Sequence, residues 1–297
     1  MPLIELNELS RVYGFGDAAT VALDEVSLTI EQGEFVAVMG PSGCGKSTLM
    51  NIIGLLDRAS HGTYKLNGND ITRLSAARRA RRRRDDIGFI FQSYNLLPRL
   101  TALENVALPL AYKGMRQSRR LKLASSMLER VGLKEREYYY PSQLSGGQAQ
   151  CVAIARALVN DPNLIIADEP TGNLDSMNSR LVMELLSEIH KSGNTIIFVT
   201  HNPELTRYAT RVLYMRDGEI AFDDINRLGQ VARRAAAAVR PSKAGGKTED
   251  DELEGVSVLM HAVPGSTKEV EPTKKKRPAK RKKKSVKKTN TSRSKRS

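Results

Sequence analysis

The sequence predicts an α/β fold built on a parallel sheet, with an antiparallel β subdomain and an α-helical subdomain attached to it. An apolar run over 35–39 leads into a glycine-rich loop and then an amphipathic run, which is the order strand, turn, helix. Largely apolar runs at 87–91, 164–167 and 195–199 are short, as is typical of buried parallel strands. The 101–131 segment has a helical pattern and lies between two of these runs, which predicts a helical insertion.

Composition and charge limit the classes of protein to which the chain can belong. Its 297 residues are 40% apolar, enough for a sizeable core, and no apolar run approaches the roughly 20 residues of a membrane-spanning helix. The first residues lack the pattern of a secretion signal, so we expect a cytoplasmic protein whose membrane role would come through a partner. The two cysteines have no metal-ligand spacing, which argues against a disulfide framework.

Two alternating runs precede the glycine-rich loop. The alternation over 3–9 and 20–30 predicts half-buried antiparallel strands, and Tyr13 lies in the connection between them. Because an adenine base offers a flat π face, Tyr13 could stack on it. Closure of the sheet edge by the aromatic ring is an equally good interpretation.

The glycine-rich loop has the features of a phosphate-binding loop. Gly43 and Gly45 let backbone N–H groups approach an anion, and the helix that begins near Lys46 points its positive dipole end at the same place. The Lys46 ammonium would reach the β- and γ-phosphate oxygens, and the Ser47 hydroxyl would ligate Mg²⁺. Cys44 is either a reactive thiol or an inert packed residue. The residues predicted to bind the nucleotide here are Gly40, Ser42, Gly43, Cys44, Gly45, Lys46, Ser47 and Thr48.

An arginine run follows the first helix and a short strand. Six of the seven residues over 78–84 are arginine, too many for all of them to be paired, so we expect an exposed helix. A solvated face is the simpler interpretation, and contact with anionic headgroups or an acidic partner is the other.

The buried run 87–91 ends at Gln92. A glutamine at the carboxyl end of a strand can ligate Mg²⁺ or hold water through its carbonyl oxygen. Beyond it, Thr101 and Glu104 form a capping box ahead of one helix, and a second amphipathic run covers roughly 117–130.

A second anion site is predicted at Ser145, Gly146, Gly147 and Gln148, which open a helix running from Ala149 to Leu158. Ser145 is a good N-cap, and the paired glycines leave the first N–H groups bare. A second anion site without a loop lysine makes most sense if it completes the nucleotide site of another copy of the fold. An ordinary capped helix is the alternative.

The last two buried runs end in residues with catalytic chemistry. Asp168 at its strand tip can hold Mg²⁺ through water, and Glu169 could accept a proton from an attacking water or polarise it. His201 ends the next run and could touch the γ-phosphate, although a lone histidine is more often a surface or core residue. The turn Thr171–Asp175 could carry contacts across a dimer interface.

The charge is concentrated at the end of the chain. A closing hairpin is predicted over 211–222, and from about 228 the periodicity stops. Residues 241–297 hold 17 Lys and Arg against 7 Asp and Glu, out of a net charge of +14 for the whole chain. We therefore expect an ordered domain over 1–228, with a helical subdomain at about 93–155, and a disordered basic tail over 229–297. The tail could solubilise the protein or contact a polyanion, either anionic lipid or nucleic acid.

In this order and spacing, the motifs resemble the Walker A, Q-loop, signature, Walker B, D-loop and H-loop of an ABC transporter ATPase. They are Gly40–Thr48, Gln92, Leu144–Gln148, Ile165–Glu169, Asp175 and His201. Tyr13 stands at the position of the family's adenine-stacking aromatic residue. The resemblance covers about residues 3–225 and implies a P-loop NTPase (RecA-like) core.

Within that family, the strings at 91–98, 104–106 and 169–176 look most like the macrolide-export, lipoprotein-release and antimicrobial-peptide-efflux ATPases. The resemblance implies ATP and Mg²⁺ as cofactors, catalytic roles for Glu169, His201 and Gln92, and metal ligation by Ser47, Gln92 and Asp168. It also implies a homodimer with each ATP between two copies, a separate membrane permease, and a position on the inner face of the cell membrane. Cys151 stands where members often carry arginine, so a contact of that arginine is expected to be missing.

Two other functions stay open from the sequence. The first is a soluble ABC ATPase that acts on nucleic acid, which the basic tail favours. Such proteins usually have coiled-coil insertions or two ATPase domains, whereas this chain has one phosphate loop and one signature. The second is a scaffold that uses ATP-driven dimerisation in cell division or signalling.

Overall fold

A computed structural model describes residues 1–225, apart from the side chains of residues 17 and 225. The strands are β1 (Pro2–Tyr13), β2 (Thr20–Glu31), β3 (Phe35–Met39), β4 (His61–Leu66), β5 (Asn69–Asp70), β6 (Ile87–Phe91), β7 (Leu164–Asp168), β8 (Thr195–Val199), β9 (Arg211–Arg216) and β10 (Glu219–Ile225). The α-helices are α1 (Lys46–Ile53), α2 (Ala76–Asp86), α3 (Ala102–Tyr112), α4 (Gln117–Arg130), α5 (Gly146–Leu158) and α6 (Ser176–Lys191). The predicted basic tail over 229–297 lies outside the described residues.

The strands form two sheets. A four-stranded antiparallel sheet has the order β2-β1-β4-β5, and a six-stranded sheet has the order β10-β9-β3-β8-β7-β6. In the second sheet every neighbouring pair is parallel except β10 with β9, which form an antiparallel hairpin at one edge. The predicted parallel sheet, the two antiparallel strands before the phosphate loop and the closing hairpin are therefore confirmed.

The central strand β3 explains why the parallel sheet is buried on both faces. All five of its residues are buried, and successive side chains point to opposite faces. Val36 and Val38 pack in a cluster with α1 and the antiparallel sheet, whereas Ala37 and Met39 pack in another cluster with α5 and α6. The sheet thus separates two apolar layers, and its carboxyl edge is left free for polar residues.

A third apolar cluster joins α3, α4 and α5, with Val106, Leu110, Leu128 and Val152 among its buried residues. The predicted capping box is present, because the Thr101 side chain accepts from the Glu104 N–H and Glu104 accepts from the Thr101 N–H. The second helix covers the 117–130 range expected for it. The helical insertion between β6 and β7 is confirmed.

One helix boundary differs from its prediction. Helix α5 begins at Gly146, three residues before the predicted Ala149, because both signature glycines adopt helical geometry behind the Ser145 cap. Helix α2 has no buried residue, as expected.

Most of the α2 arginines nevertheless have partners. Arg79 and Arg83 donate to the Asp57 and Leu55 carbonyls, while Arg82 and Arg84 pair with Asp86 and Asp85. The loop that follows α1 supplies acceptors that the sequence pattern alone does not reveal. Among residues 1–225, no helix is both long and apolar enough to cross a membrane.

Candidate nucleotide-binding site

The predicted site residues meet at the carboxyl edge of the parallel sheet. In the parallel ladders Val38 pairs with Val199, and Val199 pairs with Asp168, so β3, β8 and β7 end side by side. The glycine-rich loop, the Asp168–Glu169 pair and His201 therefore leave the sheet next to one another. This is the edge at which open α/β sheets place ligands.

Two glycines in the phosphate loop have different physical roles. Gly43 has φ +80° and no heavy atom within 4 Å of the position that a Cβ would take, so its backbone is open to a ligand. Gly45 has φ +99°, and a Cβ there would lie 2.4 Å from the Ala22 carbonyl oxygen. Gly43 fits the predicted close approach of an anion, whereas Gly45 is needed for packing of the loop against β2.

The Lys46 ammonium lies inside the phosphate loop. It donates to the carbonyl oxygens of Gly40, at 2.8 Å, and Pro41, at 2.7 Å, and it lies 3.8 Å from the Cys44 sulfur. Its positive charge is thus held at the N-terminus of α1, where the first backbone N–H groups have no acceptor within the helix. Cys44 is only 4% exposed and belongs to the apolar core, which favours the interpretation of a packed residue over that of a reactive thiol.

Asp168 and Glu169 lie at the end of β7 in different environments. Burial raises the pKa of the Asp168 carboxyl, the neighbouring Glu169 carboxylate raises it further, and the Lys46 charge opposes both effects. A cation beside Asp168 would therefore stabilise its ionised form. Glu169 has φ +45°, an uncommon conformation for a residue with a side chain, and its N–H donates to the Val199 carbonyl at 3.1 Å.

Glu169 and His201 contact each other. The Glu169 Oε1 atom lies 3.1 Å from Nδ1 of His201, and both side chains line a cavity of about 250 Å³. Arg180 and Arg207 line the same cavity and were not predicted. The contact orients the histidine ring at the end of β8.

Gln92 lies against the 171–175 turn. Its side-chain amide donates to the Asn173 Oδ1 at 3.4 Å, and the Asn173 side-chain amide donates back to the backbone carbonyl of Gln92 at 3.2 Å. A Cβ on Gly172 would lie 2.6 Å from the Gln92 Nε2 atom. Asn173 and Gly172 therefore determine where Gln92 lies; the sequence singled out their turn for contacts across a dimer interface, and its contact with Gln92 was not predicted.

Tyr13 is the last residue of β1 and not part of the connection predicted for it, because the strand continues past residue 9; it is 39% exposed. The Arg11 guanidinium lies 4.3 Å from the ring centroid, and the Tyr13 hydroxyl donates to the Asp57 carboxylate at 2.8 Å. Although burial raises the pKa of Asp57, hydrogen bonds from Arg58 and Tyr13 and the Arg11 charge leave it lower than usual. Sequence reasoning missed both partners of this residue: Arg11 covers one face of the Tyr13 ring, and Asp57 holds its hydroxyl.

The second predicted anion site is a capped helix start. The Ser145 hydroxyl accepts from the Gln148 N–H at 3.3 Å, and the Gln148 side chain accepts from the Ser145 N–H at 3.0 Å. Ser145 and Gly146 are exposed. Within residues 1–225, no hydrogen bond or ion pair joins 145–148 to the phosphate loop of the same chain.

Cys151, one turn along α5, is half-buried against the helical cluster. Burial raises the pKa of its thiol to about 11, so the side chain is neutral at physiological pH. It packs as a small apolar residue at the position where an arginine was expected from the resemblance.

A groove lies beside the site, between α2, β6, α3 and α5. It encloses a cavity of about 610 Å³, with Phe89, Phe91 and Leu108 among its apolar lining residues and Arg81, Arg84 and Arg156 among its charged ones. The Phe89 and Phe91 rings stack with centroids 5.7 Å apart. Sequence reasoning did not find this groove, because its walls come from four separate segments.

Comparison with known proteins agrees with this geometry. The family model described as ABC transporter matches residues 23–172. A macrolide export ATP-binding/permease protein, MacB, of Hyphomonas neptunium is 50% identical over 82% of this chain, but the chain spans only 38% of that protein. An uncharacterised ABC transporter ATP-binding protein, YvrO, of Bacillus subtilis is 50% identical over 75% of this chain and 97% of its own length.

A solved structure has the same fold. The dimeric structure of a post-hydrolysis state of the ATP-binding cassette MJ0796, bound to ADP and Pi, matches with a TM-score of 0.70 and 42% identity. The match covers 75% of this chain and 99% of that one.

Proposed function

The chain belongs to the ABC transporter family and is one of its ATP-hydrolysing cassettes, and from this premise we propose that two copies close around two ATP molecules to drive a separate membrane permease. The observation that carries the proposal is the separation of two anion sites. The phosphate loop holds a lysine, whereas the Ser145–Gln148 cap exposes Ser145 and Gly146 and has no bond to that loop within the described chain. Each half-site is completed by a second copy.

The phosphate loop binds the ATP phosphates in this proposal. Gly43 provides an open backbone, Lys46 provides a positive charge, and the N-terminus of α1 provides free N–H groups. Tyr13 stacks on the adenine base with the ring face that Arg11 leaves uncovered. The remaining contacts come from Gly40, Ser42, Cys44, Gly45, Ser47 and Thr48.

The residues present fit Mg²⁺ as the metal. Ser47 and Asp168 offer hard oxygen donors, and within residues 1–225 there is no group of three or more His, Cys, Asp or Glu that could hold a metal by itself. Mg²⁺ usually keeps several waters and takes only one or two protein ligands together with substrate phosphates, so these few donors are enough to hold it. Gln92 would be a further ligand through its carbonyl oxygen. When bound, Mg²⁺ neutralises charge on the phosphate oxygens.

Hydrolysis depends on the Glu169–His201 pair. Glu169 accepts a proton from the attacking water, and His201 holds the Glu169 carboxylate in place and contacts the γ-phosphate. Gln92 positions the water from the end of β6. The dimeric ADP and Pi complex of MJ0796 supports hydrolysis within a dimer.

The permease would dock at the groove between α2 and α3. The groove is lined by apolar residues and arginines, and two of its lining residues, Phe91 and Asn95, flank Gln92 in the chain. Movement at Gln92 on hydrolysis would therefore reach the docked partner. The name of the MacB relative supports export as the direction, with the cassette on the cytoplasmic face of the membrane.

The test uses Glu169→Gln. This variant should bind ATP, turn over slowly and elute from size exclusion as an ATP-dependent dimer, while Glu184→Gln, on the exposed side of α6, should behave like the wild type. Adding Ser145→Ala to Glu169→Gln should weaken the dimer. A rate that is linear in enzyme concentration and insensitive to Ser145→Ala would contradict a shared site.

A further inference from the structure

The turn after Gln92 has an unusual backbone. Tyr94 and Asn95 are consecutive and both have positive φ, +58° and +48°. A residue with a side chain rarely adopts this conformation, and two in succession need support from outside the turn. The turn's own backbone bonds, Tyr94 N–H to the Phe91 carbonyl and Asn95 N–H to the Ser93 carbonyl, are short-range.

Arg156 on α5 provides that support. One arm of its guanidinium donates to the Tyr94 carbonyl at 2.8 Å and the other to the Asn95 carbonyl at 2.5 Å. The planar fork of arginine matches two adjacent acceptors, which the single ammonium of lysine does not. Arg156 is half-buried, and this burial lowers the pKa of its guanidinium.

The Tyr94 side chain reaches the other end of the same helix. A Cβ on Gly146 would lie 2.8 Å from the Tyr94 hydroxyl oxygen, so the phenol closely approaches the first residue of α5. Ten residues separate Gly146 from Arg156, or about 15 Å along the helix. The turn after Gln92 therefore contacts α5 at both ends.

We infer that Arg156 is a positioning residue for the signature loop, 145–148. By holding the Tyr94–Asn95 turn, it fixes the Tyr94 ring against Gly146. It thereby sets where the signature loop meets the nucleotide of the second copy. The inference rests on the proposed function, in which 145–148 completes that site. Arg156 and Asn95 also line the groove. A partner in the groove would thus act on the signature loop through the same two carbonyls.

The test uses the full chain with Glu169→Gln as the parent. Adding Arg156→Lys keeps the charge but loses the fork, and should weaken ATP-dependent dimerisation about tenfold by light scattering. Binding of a fluorescent ATP analogue by the monomer should stay within about twofold, because the phosphate loop is unchanged. Tyr94→Ala should have the same effect, and the double variant should add little to either single change.

Arg211→Lys is the matched control. Arg211 is also a forked, partly buried arginine, but it bonds to Asp223 on β10, to Glu34 just before β3 and to the Thr29 carbonyl on β2. The Arg211→Lys variant should have a lower thermal stability than the parent and should dimerise as the parent does. Hydrogen exchange provides a second readout, since Arg156→Lys should raise the exchange of residues 145–148 and Arg211→Lys should not.

Three results would overturn the inference. Arg156→Lys could dimerise as tightly as the parent, its effect could add fully to that of Tyr94→Ala, or Arg211→Lys could lose dimerisation equally. A parent that fails to dimerise with ATP would instead contradict the proposed function, and that failure is seen before Arg156 is changed.

Discussion

Nδ1 of His201 lies 3.1 Å from the Glu169 carboxylate, although 32 residues separate the two in the chain. Parallel pairing of β7 with β8 brings them together, because each residue follows the end of its strand. The contact is polar and solvent-accessible, with the His201 side chain 71% exposed. Its value is therefore in orienting groups for the reaction and not in stabilising the fold.

His201→Ala should lower kcat by about 100-fold, because it leaves the base Glu169 without its orienting partner and a positioned base contributes about 10²–10⁴ to rate. Thermal stability should change little, since the side chain is exposed. His190→Ala is the contrasting control: His190 bonds to the Gly33 carbonyl and packs against Phe35, so its loss should lower Tm and leave kcat near wild type. A wild-type rate in His201→Ala would remove His201 from the reaction.

Gly45→Ala should destabilise the protein more than Gly43→Ala. Both positions have positive φ, which costs a substituted residue about 1–2 kcal/mol. Only at Gly45 would the new Cβ also meet a backbone atom, the Ala22 carbonyl oxygen at 2.4 Å. Urea unfolding measures the difference, and equal losses would show that the contact with Ala22 relaxes freely. Gly43→Ala should instead weaken ATP binding, because it fills the open approach to the loop.

Asn105→Leu should cost about 2–4 kcal/mol, since it leaves several buried partners without hydrogen bonds. Asn105 is fully buried; it donates to the carbonyls of Leu97, Leu100 and Thr101 and accepts from the Leu97 N–H. Thr101→Ala, which removes only a helix cap nearby, should cost about 1 kcal/mol. Chemical denaturation of both variants gives the comparison. A loss for Asn105→Leu no larger than for Thr101→Ala would mean that water replaces the lost bonds.

Glu137 should make stability depend on pH in the acid range. Burial raises the pKa of its carboxyl, but bonds from Lys134, at 2.8 Å, and Ser125 outweigh this and leave the pKa lowered. Because the folded pKa is below the unfolded value of about 4.3, this stabilisation is present above about pH 4.3 and is lost as pH falls through the folded pKa.

Glu137→Gln should therefore lower Tm at pH 7 and flatten the dependence of Tm on pH below about 4.3. Glu135→Gln, an exposed neighbour, should keep the wild-type profile. Parallel Tm profiles for the wild type and Glu137→Gln through the acid range would show that the carboxylate contributes nothing.

Local patterns were enough to predict most elements of the fold, although helix α6 was not predicted. The short, largely apolar runs predicted β3, β6, β7 and β8, since a strand buried on both faces needs apolar side chains on both. The Thr101–Glu104 box and the 117–130 periodicity predicted α3 and α4, because capping and helical spacing are local properties. The order of the motifs also indicated the family, since each motif is a short contiguous string whose residues carry its chemistry.

Contacts between distant segments could be found only in the tertiary structure. The pairing of Glu169 with His201, of Gln92 with Asn173, and of Arg156 with the Tyr94–Asn95 carbonyls each joins residues at least 32 positions apart. Sheet order and helix packing determine which of these distant residues come into contact, and neither can be inferred from local spacing in the sequence. The chemistry of each motif was determined by its own residues, whereas the groove and the link from Gln92 to the signature loop arise only when those motifs pack together.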